Sequence, residues 1–215
     1  MKLELINTPL LSTSYFPPIE YMCHFVSNKS VNIEVQETYP KQTYRNRCRI
    51  MTANGCLDLS IPITKPSGNN SKTKDIELLY QERWQINHWR AIVSAYNGSP
   101  FFLYYKDEIE NFFSVKENLL VDLNNSILQT IIELLGIDCK VNFTEEFTKP
   151  NTLINDFRFS ITPKKTVESV NFDIYTQVFS EKYSFAPNLS ILDLIFNLGP
   201  ESKEYLKKVA AVINC

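Results

Sequence analysis

Residues 9–35, PLLSTSYFPPIEYMCHFVSNKSVNIEV, decide the fold class. The apolar run from Pro9 to Tyr15 has the length of a short buried strand and stops at Pro17-Pro18. Beyond the prolines, Ile19, Tyr21, Met22, Phe25 and Val26 recur at helical spacing. Proline suits a first helical turn, where its missing N–H would find no partner anyway, so a helix of roughly two to three turns is expected. Val31 to Val35 then alternates as a second strand. Strand, helix and strand in succession form a parallel crossover unit, because a parallel neighbour needs a long return connection. The expectation is α/β, with α+β as the alternative.

The next segment supplies antiparallel pairing, so a mixed sheet is expected. Tyr44 to Met51 and Cys56 to Ile63 flank Ala53-Asn54-Gly55, and Asn-Gly is a strong hairpin signal. With Asn54 and Gly55 as the turn, Ile50 faces Leu59 and Cys48 faces Ile61. The other face then carries Arg45, Arg47 and Arg49 opposite Thr64, Pro62 and Ser60, with Asp58 diagonal to Arg49. Residues 66–74, PSGNNSKTK, read as a polar loop with no reason to order alone.

The remainder is rich in helix. Trp84, His88, Ile92 and Tyr96 step by four along one helix, Phe101 to Phe113 form another, and Ile127 to Leu135 a third that Gly136 stops. Ser190 and Asp193 resemble a capping box before ILDLIFN, and a last helix buries Tyr205, Leu206, Val209, Val212 and Ile213. Short strands are expected at Ile76–Leu79, Lys140–Phe143 and Phe157–Ile161. Residues 1–215 are read as one domain.

Composition narrows the partners. Twenty-two basic against 24 acidic side chains give a net charge of −2, which argues against nucleic acid and anionic membranes. No apolar run is long enough to span a bilayer, and MKLELINTPLLSTSYF lacks the apolar core of a signal peptide. The five cysteines are odd in number and form no CxxC pair, as expected of buried thiols in a reducing cytoplasm. With two histidines and five glycines, neither a multi-histidine metal centre nor a phosphate-cradling glycine loop is expected. No cofactor can be named. A phosphorylated or nucleotide-linked small molecule is the expected partner, and a protein partner stays open.

Three groups of side chains carry candidate chemistry. Arg45 and Arg47, with Lys41 before the strand and Lys65 past its partner, form a cationic face suited to a diphosphate, since the guanidinium fork matches paired phosphate oxygens. The alternative is a solvated sheet face with Arg49 and Asp58 weakly paired. Asn46 falls on the opposite face of a regular strand. Ser12 to Tyr15, before a helix N-terminus, can receive an anion or serve as ordinary turn chemistry, with Glu20 competing for the site. His88, beside tryptophans, is the acid–base candidate or a packing histidine. The aromatic run Phe101 to Tyr105 reads as core rather than a stacking platform.

These same residues resemble the WbqC-like family. The matching stretches are LLSTSYFPPIEYM, KQTYRNRCRI followed by NG and LDLSIPI, HWRAIVSAYNGSPFFLYY, YTQVF, and FAPNLSILDLIFNLGPES. The opening is similar to the family's Bacteroidetes-type members, and the glutamine of the QP pair found elsewhere is missing. The resemblance implies a place in O-antigen or other surface-polysaccharide biosynthesis and an acyl or aminoacyl transfer to an amino sugar, which the scarcity of metal-ligand motifs makes a metal-independent one; the alternative is a non-catalytic binding or assembly protein. Carried onto this chain, the motif residues are Tyr15, Pro18, Lys41, Arg45, Asn46, Arg47, Lys65, His88, Tyr96, Ser99 and Pro100, with Ser14 beside Tyr15. His88 is then the catalytic candidate, and Ser14, Tyr15, Lys41, Arg45, Asn46, Arg47, Lys65, Tyr96 and Ser99 are the substrate-binding candidates.

Overall fold

The computed structural model describes residues 8–150, 155–164 and 172–213. Residues 1–7, part of the N-terminal reading, and Cys215 lie outside them. β1 (Leu10–Ser12), α1 (Ile19–Ser27) and β2 (Ser30–Glu34) form the crossover read from the sequence. β3 (Arg47–Thr52) and β4 (Gly55–Ser60) make the hairpin, and β5 (Ile63–Thr64) pairs antiparallel with β6 (Glu77–Leu78). α2 (Trp84–Tyr96), α3 (Phe102–Ser114) and α4 (Leu120–Leu134) follow. β7 (Lys140–Phe143), α5 (Ile191–Leu198) and α6 (Ser202–Ile213) complete the order. The class is α/β.

β2 is the central strand of a parallel sheet, with β1 on one side and β7 on the other. The parallel and antiparallel strands lie in separate ladders rather than in one hydrogen-bonded sheet. α1 buries Ile19, Met22, Cys23 and Phe25 and packs against α6. At about 1.5–3 kcal/mol per fully buried large apolar side chain, that face anchors the crossover. The expected strand Phe157–Ile161 is instead a single parallel bridge from Asp156 to Leu10 followed by a turn.

The hairpin register is shifted. Cys48 pairs with Leu59, Ile50 with Leu57 and Thr52 with Gly55, so Ala53 and Asn54 are the turn residues. Positive φ falls on Gly55 (φ +100) and not on Asn54, so the glycine closes the ladder instead of lying inside the turn. A shift of two residues keeps every side chain on its expected face. It does move Asp58 from a diagonal position to one directly opposite Arg49.

Two further readings change. Of the aromatic stretch, Phe102 is core, whereas Leu103 and Tyr104 are about three-quarters exposed, because α3 buries only Phe102, Ile109 and Phe113. The polar loop 66–74 is ordered. Thr73 N donates to Glu37 O at 2.9 Å, Tyr39 N to Ser71 O at 2.9 Å, and Lys74 N to Val35 O at 2.9 Å. The chain after β2 therefore supplies partners that the loop's own sequence does not announce. Ser190 caps α5, accepting from Leu192 N at 3.3 Å. Asp193 does not complete a capping box, because its carboxylate accepts from Tyr175 Oη at 2.6 Å and Gln177 Nε2 at 2.9 Å.

Candidate functional site

The segment linking β2 to β3 carries most of the candidate residues. Arg45 precedes β3 and is 2% exposed, turned inward instead of projecting beside Arg47. Its Nη2 lies 2.6 Å from Glu37 Oε1, and its Nε donates to the same oxygen at 2.8 Å. Arg158 forms a parallel arrangement, bonded to Asp156 at 2.6 and 2.8 Å and to Glu34 at 3.2 Å. Glu34, Glu37, Arg45 and Arg158 are all buried. Such pairs hold a loop in place by mutual dependence, since removing one partner leaves an uncompensated charge in a medium that solvates it poorly.

Arg47 and Arg49 are neutralised in another way. Arg49 is bidentate to Asp58, at 2.7 and 3.1 Å, and Arg47 reaches the same carboxylate at 3.5 Å and Ser60 Oγ at 3.1 Å. The strongly cationic face expected from the sequence is therefore largely internally paired. Asn46 donates to Ile61 O at 2.9 Å and serves the ladder beyond the strand end.

Lys41 and Lys65 remain. Lys65 Nζ sits 4.9 Å from the centroid of the Tyr39 ring, a cation–π contact. Desolvation and the nearby charge of Lys41 both lower the Lys65 pKa. Neither lysine makes an ion pair with a carboxylate among the described residues. Two ammonium groups that repel each other with no acid between them form a surface that favours an anion.

The other candidates lie elsewhere. Tyr15 is fully buried and its Oη is 3.0 Å from His88 Nδ1. His88 is 6% exposed and packs edge-on to Trp84. Burial lowers its pKa to about 4, opposed by a backbone hydrogen bond with Ser60, so the ring is neutral near pH 7. Ser14 donates to Tyr44 O at 3.4 Å. The helix N-terminus behind it is already occupied, with Ile19 N bonded to Leu189 O and Glu20 N to Asn188 Oδ1 at 2.9 Å. Tyr96 is fully buried, and Ser99 donates to Tyr96 O at 2.6 Å. The structure thus brings Lys41, Arg45, Arg47 and Lys65 to one region around Tyr39, and leaves Ser14, Tyr15, His88, Tyr96 and Ser99 in the core.

Sequence reasoning missed Glu34, Glu37, Tyr39, Asn124 and Arg158. One signal was present: Glu34 ends the strand that is central in the parallel sheet, and a charge there needs a buried partner. Among the described residues no group of three or more His, Cys, Asp or Glu is arranged to hold a metal ion, and no helix is long and apolar enough to cross a membrane.

An α/β core carrying an ion-paired β2–β3 connection is the arrangement with which known proteins can be compared. The chain belongs to the WbqC-like protein family, which matches residues 13–170 and so takes in β2 and β7 of the parallel sheet, the hairpin and the site. It is 22% identical over 225 residues to the uncharacterized protein Rv1507c of Mycobacterium tuberculosis, covering 92% of this chain and 96% of that one. No solved structure matches.

Proposed function

We propose that the protein binds a nucleotide-linked or phosphorylated amino sugar at the Lys41–Lys65–Tyr39 face and acts there, in the cytoplasm, as an acyl or aminoacyl transferase of surface-polysaccharide biosynthesis. The observation that carries the reading is the lysine pair, left without a carboxylate among the described residues while Arg47 and Arg49 share Asp58. A diphosphate is the anion whose two charges suit two ammonium groups. Membership of the WbqC-like family supports the polysaccharide setting through the resemblance described above.

Calorimetric titration with UDP and UDP-glucosamine tests the proposal. Both are expected to bind, and the Lys41→Ala/Lys65→Ala pair to weaken them by about tenfold or more, the size expected for losing two charge-assisted contacts. Absence of binding by the wild-type chain, or unchanged binding by the double variant, refutes it.

One observation favours a second reading, a non-catalytic binding or assembly protein with an acidic protein partner. His88 is enclosed by Tyr15 and Trp84, and burial keeps it neutral, so it is poorly placed to exchange protons with a substrate. Salt-sensitive capture of an acidic partner, lost in the same double variant, with no turnover of any activated amino sugar, distinguishes this reading from the first.

A further inference from the structure

The C-terminal helices border a recess that the phosphate reading leaves unused. α5 ends at Leu198, and a short turn over Gly199–Glu201 carries the chain into α6. Glu201, Glu204, Tyr205 and Lys208 follow at steps of three and four, so they share one side of that turn and helix. The segment Asp173–Tyr175 lies across from them, and between the two a recess of about 540 Å³ opens to solvent. A recess of that size is large enough to take a side chain or a small ligand.

Its walls are fixed from within. Tyr205 Oη donates to Asp173 O at 2.7 Å, and Tyr175 Oη donates to the buried Asp193 carboxylate at 2.6 Å. The two tyrosine rings meet edge to face with centroids 5.1 Å apart. Both hydroxyls therefore serve the fold, and what the tyrosines offer the recess is ring surface. Leu198 and Pro200 add apolar lining, and Ile174, 82% exposed, carries it out onto the rim. An apolar rim around a concave site is the form of a surface that another protein covers.

The charges around the recess do not cancel. Glu204 is held by Lys207 at 2.6 Å. Asp173 and Glu201 make no ion pair among the described residues, and Lys208 is the basic residue in the lining. Two carboxylates against one ammonium leave one negative charge in excess. A metal ion is a poor complement, since among the described residues no three His, Cys, Asp or Glu are grouped to ligate one.

We infer that this recess docks an arginine from an apolar segment of a partner protein. The guanidinium is planar and carries one charge: it lies against tyrosine ring surface and extends its fork toward Asp173 and Glu201. A lysine brings the charge but neither the plane nor the fork. Apolar residues beside that arginine cover Ile174, Leu198 and Pro200. This recess and the basic face around Tyr39 act independently, one taking a cation and the other an anion.

NMR titration of the isotope-labelled chain tests the assignment with three capped probes: the tripeptide leucyl-arginyl-leucine, the same tripeptide with citrulline for arginine, and arginine alone. Citrulline keeps the shape of arginine and removes its charge. The arginine tripeptide is expected to shift the amides of Ile174, Glu201 and Lys208, and to bind about tenfold more tightly than either other probe. Asp173→Asn/Glu201→Gln is expected to abolish the preference for arginine over citrulline. Neither carboxylate has an internal ion-pair partner, so the melting temperature and UDP affinity of that variant stay at their wild-type values. Ile174→Ser is expected to weaken both tripeptides by about fivefold and leave the preference intact. No binding of the arginine tripeptide, equal binding of its citrulline analogue, shifts confined to other parts of the molecule, or a preference that survives in the double variant overturns the inference. Capped arginine binding as tightly as the tripeptide also overturns it, since the recess then serves a small cation and not a protein.

Discussion

Acidification is expected to destabilise the protein through two buried histidines. His24 packs against Phe157 with ring centroids 4.3 Å apart and the rings tilted by 44°, and His88 lies against Trp84 and Tyr15. Burial lowers both pKa values from 6.5 to about 4. Between those two pH values the unfolded chain binds a proton at each site that the folded chain refuses. Stability is therefore present in full above pH 6.5 and is lost as pH falls toward 4. At 1.36 kcal/mol per pH unit, each histidine removes about 3 kcal/mol over the whole window, and about 2 kcal/mol between about pH 7 and about pH 5. Asp193 and Glu37 act in the opposite sense. Burial raises both, so their contribution grows as pH falls and partly masks the histidines in the wild-type chain.

The variants His24→Gln and His88→Gln separate the two contributions. The second of these keeps a polar group for the Tyr15 hydroxyl, which otherwise loses its partner. Urea unfolding of each variant and of the wild-type chain, at about pH 7 and about pH 5, gives the stability lost on acidification. Each variant is expected to lose about 2 kcal/mol less than the wild-type chain. Identical losses in all three proteins would mean that these imidazoles take up protons in the folded state as readily as in the unfolded one, and the burial argument fails.

Two further perturbations discriminate buried from surface effects. Arg45→Met strands the Glu37 carboxylate and is expected to cost about 3–5 kcal/mol, whereas Asp58→Ala, at a part-exposed surface cluster, costs about 1 kcal/mol at most; chemical denaturation gives both. Gly199→Ala sets a Cβ 2.5 Å from the Phe101 ring at φ +52 and is expected to cost about 1–3 kcal/mol. Gly136→Ala, at φ +57 but with open space around it, should cost about 1 kcal/mol, and thermal melting of the pair separates collision from backbone strain.

The fold was legible wherever hydrophobic period and connection length agreed. Pro9 to Val35 carries its own strand, helix and strand, and α2, α4 and α5 are announced by apolar residues three and four apart. The hairpin was legible in existence and facing, but not in register. Two turns compatible with Ala53-Asn54-Gly55 differ by two residues, and the hydrophobic alternation is blind to that shift. The loop 66–74 was illegible because its order comes from Val35 to Tyr39, far earlier in the chain, and not from its own composition. The site was half legible. Lys41 and Lys65 were found, but Glu37 and Arg158 were not, since a buried pair between segments distant in the chain leaves no local pattern.

The same contrast explains why counting cations misplaced the charged face. Arg45, Arg47 and Arg49 alternate along the chain and look equivalent in one dimension. In three dimensions each meets a different carboxylate environment: Arg45 a buried glutamate, Arg49 a bidentate aspartate, and Arg47 a share of that aspartate. What survives as positive potential is set by the register that puts Asp58 between two arginines and by the loop that brings Glu37 to the third. Lys41 and Lys65 lie beyond the reach of both carboxylates, one before the hairpin and one after it. Exchanging Asp58 for Asn would release Arg47 and Arg49 as well. A diphosphate would then meet the released Arg47 guanidinium near Tyr39, and UDP affinity is expected to rise rather than fall, with a steeper dependence on salt. If titration instead shows affinity unchanged at every ionic strength, the phosphate lies elsewhere on the molecule.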